Sequence, residues 1–176
     1  MSKPAKSTRK IEVERLCFIS PDAFEKVVAR LEAAIGHPDL SRMFRTLGKA
    51  QPFSEYEQEV KRGLGPTGFM LFMKLDHGAV LQKDAGRAMP KMIRFILGNP
   101  LIMKEMAKHA PDAGSYAPVT VLVDERTDGV HLSYDRMTSY LAASGSPEAL
   151  KVGKDLDNKV EALMANAANE GKPSIL

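Results

Sequence analysis

Apolar and polar positions change their period several times along the chain, and each change predicts an element. From Ile11 to Ile19, charged and apolar residues mix in a pattern that predicts a first strand. Ser20-Pro21 reads as an N-cap followed by proline at the first helical position. Phe24, Val27, Val28, Leu31 and Ile35 then recur at helical spacing, and Gly36 is expected to end that helix. A short second helix follows His37-Pro38, with Leu40, Met43, Phe44 and Leu47 on one face and Gly48 as its stop. Ser54 and Glu57 have the spacing of a capping box for a third helix reaching about Arg62.

The middle of the chain changes character. Phe69 to Leu75 is almost continuously apolar, which predicts a strand covered on both faces. A short helix is expected over Ala79 to Ala85, then a strand over Lys91 to Leu97 with Ile93, Phe95 and Leu97 sharing a face. Asn99-Pro100 is a second cap-plus-proline pair and opens a helix carrying Leu101, Ile102, Met103 and Met106. Val119, Val121 and Val123 alternate, as do Val130, Leu132 and Tyr134, and the turn-rich Asp124 to Gly129 between them predicts a hairpin. Ser146-Pro147 opens a last helix with Leu150, Leu156, Val160, Leu163, Met164 and Ala167 as its buried stripe, ended by Gly171 and Pro173. Strands and helices in irregular order, with a hairpin and no βαβ alternation, predict an α+β fold.

Composition narrows the function classes. The chain has 176 residues, 44% hydrophobic and 27% charged, which fits a single folded domain over residues 11–172. No apolar run reaches the ~18 residues of a membrane span, and the N-terminus lacks a secretory core, so a cytoplasmic protein without membrane contact is expected. The net charge is +3, yet Lys3, Lys6, Arg9 and Lys10 put +4 on residues 1–10. The remainder is therefore slightly acidic. Those ten residues read as a disordered basic arm, and nucleic acid is not an expected partner.

Several motifs bear on chemistry. Gly63-Leu64-Gly65-Pro66-Thr67-Gly68 spells a dinucleotide fingerprint, but a helix precedes it and a strand follows, which inverts the required order. His37, His77, His109 and His131 show no i, i+4 pair and Cys17 is the sole thiol, so no metal site and no cofactor follows from spacing. Cys17, between Leu16 and Phe18, reads as a small buried hydrophobe. Asp76-His77 is the sharper case, because a titratable pair at a strand end suits a tuned acid or base. The structural alternative is that Asp76 caps the following helix. Ten methionines, six of them between Met70 and Met106, suit core filling or an adaptable apolar pocket.

Phe72-Met73-Lys74-Leu75-Asp76-His77, Phe95-Ile96-Leu97-Gly98-Asn99-Pro100, Pro118-Val119-Thr120-Val121-Leu122-Val123 and Val130-His131-Leu132-Ser133-Tyr134-Asp135 stand in a telling order. Together they resemble a bacterial family of domains of unknown function, numbered 302, over about residues 69–142. The resemblance implies an antiparallel sheet packed against helices, a TATA-binding-protein-like grouping and a tendency to dimerise. Residues 36–64 then look like an inserted helical pair. It brings no established activity, so whether the protein is an enzyme stays open. Asp76, His77, Asn99 and Tyr134 are the positions it offers for ligand binding.

Three functions fit these residues. The first is a small-molecule-binding domain with a Met- and Phe-lined pocket and His77 at its mouth. The second is a homodimeric interaction module without catalysis. The third is an enzyme using His77 as general acid or base. His77 and Asn99 share a rim only if their strands run the same way. Antiparallel neighbours would put them at opposite ends.

Overall fold

The computed structural model describes residues 5–169. Its elements run β1 (Arg15–Ser20), α1 (Phe24–Ala34), α2 (Leu40–Leu47), α3 (Phe53–Gly63), β2 (Met70–Asp76), α4 (His77–Ala85) and β3 (Met92–Gly98). They continue with α5 (Pro100–Ala107), α6 (Ala113–Tyr116), β4 (Val119–Arg126), β5 (Gly129–Asp135), α7 (Met137–Ala142) and α8 (Pro147–Ala168). The strands form one sheet in the order β1-β5-β4-β3-β2, with every neighbouring pair antiparallel. This is an α+β fold with α2 and α3 as the helical pair of residues 36–64.

Alternation decides which side of the sheet is covered. Ile93, Phe95 and Leu97, Val119, Val121 and Val123, and Val130, Leu132 and Tyr134 face one way and are buried. On that face they meet Phe24, Val27 and Leu31 of α1 and Leu156, Val160 and Leu163 of α8. Each such side chain stabilises the fold by ~1.5–3 kcal/mol relative to exposure. The opposite face carries Arg15, Cys17, Ile19, Met73 and Arg94, all exposed, and stays largely open.

Two of the cap-plus-proline pairs form as the sequence predicts. Asn99 and Ser146 cap α5 and α8 with proline at the next position. Asp76 caps α4 by accepting from Ala79 N at 2.8 Å, so that helix starts at His77, two residues earlier than its pattern suggests. The glycine-rich stretch links α3 to β2 and packs against the end of α1. There a Cβ on Gly36 would collide with the carbonyl oxygen of Gly63, and one on Gly65 with the Ile35 backbone.

Elsewhere the structure departs from the sequence pattern. Ser20 does not cap α1. Its hydroxyl donates to the Ala168 carbonyl at 2.5 Å, and the uncapped helix begins at Phe24. The Ser54–Glu57 capping box is not formed: Pro52 stands at the N-cap, Glu57 pairs with Lys61 and Glu55 accepts from Gln51 N. β1 starts at Arg15, not Ile11, because β5 ends at Asp135 and Glu14 bonds instead to Ser139 and Arg136 at α7. Cys17 is exposed, since the register that buries Leu16 and Phe18 turns it to the open face. β2 is an edge strand rather than one covered on both sides: Met70 is buried while Met73 is 50% exposed. Residues 5–10 of the basic arm are exposed and irregular, with Arg9 paired to Asp112. The rest of the arm, and the stop assigned to Gly171 and Pro173, lie outside the described residues, and α8 ends at Ala168.

Candidate functional site

The four candidate positions come from different elements, and the register of β2 with β3 separates them. Met70 pairs with Gly98 and Asp76 with Ile93. Asp76 and Asn99 therefore stand at opposite ends of an antiparallel pair, roughly 20 Å apart along the strands. The shared rim does not form.

At the β2 end, Asp76 and His77 point to opposite sides of the sheet. Asp76 lies in a cleft between α1 and α4, its carboxylate engaged with Ala79 N. His77 lies on a groove of about 530 Å³ that crosses the open face and also touches Arg15, Arg94, Thr120, Ser133 and Tyr140. Asp76 thus does not orient the imidazole. In the same groove Arg15 donates twice to Asp135, at 2.6 and 2.9 Å, which holds the Asp135 carboxyl below its ordinary range.

At the β3 end, Asn99 sits beside a second cavity, of about 240 Å³. Phe44 of α2, Tyr56 of α3, Phe72 of β2, Met103 and Met106 of α5 and Leu156 of α8 line it. The Phe44 ring lies over that of Phe72 at 6.5 Å between centroids. Asn99 spends its amide on the chain: Nδ2 donates to Gly68 O at 3.0 Å and Oδ1 accepts from Leu101 N at 2.9 Å. Its role there is to fix the cavity wall. The methionine- and phenylalanine-lined space and His77 are therefore two separate places.

Tyr134 is buried and its hydroxyl donates to Asp157 Oδ1 at 2.6 Å. Burial, with the Asp157 charge second, raises the phenol far above its ordinary range. Asp157 also accepts from Met137 N, Thr138 N and Thr138 Oγ1, so it serves as a cap on α7 supplied by α8. Pattern reading missed Asp157, although a carboxylate inside the apolar stripe of α8 was a visible signal. It also passed over Phe44, Phe72 and Arg94. Among the described residues, no group of three His, Cys, Asp or Glu side chains is placed to hold a metal, and no helix is long and apolar enough to cross a membrane.

A family model described as a domain of unknown function, DUF302, matches residues 44–167. The chain belongs to this family. The matched span begins within α2 and takes in α3, β2 to β5 and nearly all of α8. The crystal structure of an uncharacterized conserved DUF302 protein from Bacillus stearothermophilus is similar, with a TM-score of 0.60 and 14% identity. That likeness covers 87% of this chain and 97% of the other. At such low identity it carries the fold alone. No curated protein matches the chain. The chain is thus a DUF302 domain of α+β fold.

Proposed function

We propose that this DUF302 domain binds a small apolar molecule in the cavity between β2, α5 and the α2–α3 pair. The observation that carries this reading is the lining. Phe44, Phe72, Met103, Met106 and Leu156 line a half-open pocket of about 240 Å³ with few polar groups. A dry cavity of about 150 Å³ lined by aliphatic and aromatic groups holds benzene, so this one suits roughly ten non-hydrogen atoms. Methionines adapt to the outline of such a guest. A second small core, Met43, Val60 and Met70, packs the α2–α3 pair onto β2 at the edge of the sheet.

The test uses the methionines as probes. Indole is titrated into the full chain with carbon-13-labelled methionine methyls. Saturable shifts at Met103 and Met106, with Met137 unmoved, support the reading. Shifts that never saturate, or that spread evenly over all the methyls, sink it. A Met103→Trp variant, folded to the same melting temperature, should lose the response.

Self-association is a second reading, favoured by the free outer edge of β1, where Ile19 is 53% exposed. Two copies joined edge to edge would extend the sheet and leave both the cavity and the groove open. Sedimentation velocity at micromolar concentration should then show a dimer that Ile19→Lys dissociates. A native monomer removes this reading.

A further inference from the structure

The open face of the sheet balances its charges with one exception. Arg15 pairs with Asp135, Arg126 with Asp124 and His131 with Asp128. Arg94 has one side-chain partner, the Thr120 hydroxyl, to which Nη2 donates at 3.1 Å. Among the described residues it makes no ion pair, although a guanidinium offers five donors. It stands mid-strand between Leu75 of β2 and Leu122 of β4, so its charge rises from an apolar floor. The groove of about 530 Å³ passes over it, with His77 at one end and Tyr116 stacked on Tyr140 at 4.6 Å at the other.

We propose that this groove is a second binding site, distinct from the apolar cavity, for a small molecule that carries a carboxylate on a flat apolar body. The planar fork of Arg94 matches a carboxylate in two-point contact. The Thr120 hydroxyl, which accepts from Arg94, keeps its own hydrogen free for the same anion. Leu122 and the paired tyrosines offer the apolar body a surface. One uncompensated positive charge suits a monoanion, and Asp135 on the same face opposes a second negative charge such as a phosphate dianion carries.

Sodium benzoate, benzamide and inorganic phosphate serve as probes in nitrogen-15 titrations of the full chain, with the Arg94 Nε–H followed directly. Benzoate should give saturable shifts at Arg94, Thr120 and Leu122, with affinity at least tenfold above that of neutral benzamide and of phosphate. Arg94→Gln should cost at least tenfold in benzoate affinity while the unfolding midpoint and the indole response of Met103 stay unchanged. Arg94→Lys, which keeps the charge and loses the fork, should fall between the two. Equal binding of benzoate and benzamide, tighter binding of phosphate, no saturable response, or an unaffected Arg94→Gln variant would each overturn the proposal. Because the indole response reports the other cavity, failure here and failure of the apolar site are read separately.

Discussion

The Tyr134 hydroxyl and the Asp157 carboxylate meet at 2.6 Å in the buried seam where α7 crosses α8. The same carboxylate takes the Met137 and Thr138 amides and the Thr138 hydroxyl, so one side chain supplies the first turn of α7 with its acceptors. The two helices pack closely beside this bond. A Cβ on Gly153 of α8 would come within 2.7 Å of Leu141 of α7.

Removing either partner should act on stability. Tyr134→Phe leaves the carboxylate short of one donor and is expected to cost ~1–2 kcal/mol. Asp157→Ala takes the shared acceptor from four donors, of which Met137 N keeps a second bond to the Tyr134 hydroxyl, and should cost ~3 kcal/mol or more. Urea unfolding of both variants checks the order, and equal losses would contradict it.

The crossing of the α1 end with the glycine-rich loop admits no side chain. Gly65→Ala puts a methyl against backbone atoms of Ile35 and Gly36, which cannot swing aside as a side chain can. A loss of ~2 kcal/mol or more is expected. Gly114→Ala in α6, where a Cβ meets nothing within 4 Å, is the control and should be neutral or slightly stabilising. Thermal unfolding of the two variants side by side decides it.

Asn99→Ala should cost ~1–2 kcal/mol through the lost cap on α5. It also frees the Gly68 carbonyl that the amide holds at 3.0 Å. The wall of the apolar cavity should loosen with it. The indole affinity of this variant is therefore expected to drop together with its unfolding midpoint. An unchanged midpoint would show that the cap is not formed in solution.

The pair of Arg15 with Asp135 should show in the pH dependence of stability. The Arg15 hydrogen bonds and charge lower the Asp135 pKa in the folded chain. A depressed carboxyl stabilises above its unfolded pKa of about 3.9, and that contribution fades as pH falls through the folded value. Arg15 is 63% exposed, so water screens the pair and the effect should stay under ~1 kcal/mol. Unfolding of the native chain and of Asp135→Asn should differ at pH 6 and converge as the pH drops below 3.9. A difference that persists in strong acid would assign it to another cause.

Local periodicity carried most of the fold. The stripes of α1 and α8 and the alternation of β3, β4 and β5 stand in the sequence because each residue's burial follows from its own neighbours. One expected cap gave way to a distant partner: Ser20 donates to Ala168, 148 residues away, and nothing near Ser20 signals that. The candidate site scattered for a related reason. Strand order is a property of the whole sheet, and only the antiparallel pairing of β2 with β3 parts Asp76 from Asn99. The apolar run from Phe69 to Leu75 looked central because Met70 and Phe72 serve the second cluster and the cavity, not because both faces of the strand are covered. Arg94 was legible as a charge amid Ile93, Phe95 and Ile96, yet its missing partner shows only in three dimensions.

The sheet order also sets a timetable for synthesis. β2 to β5 form a meander in which each strand pairs with the next one made, so their contacts close locally. β1 pairs with β5 alone, and its Arg15 lies 120 residues ahead of Asp135. On a ribosome adding about 5–20 residues per second, β1 waits on the order of ten seconds for its partner. Leu16 and Phe18, which later pack against the main core, stay uncovered through that interval. Of the sheet's five strands, the earliest made is the last to be paired, and until β5 follows, β1 is the strand most open to wrong partners.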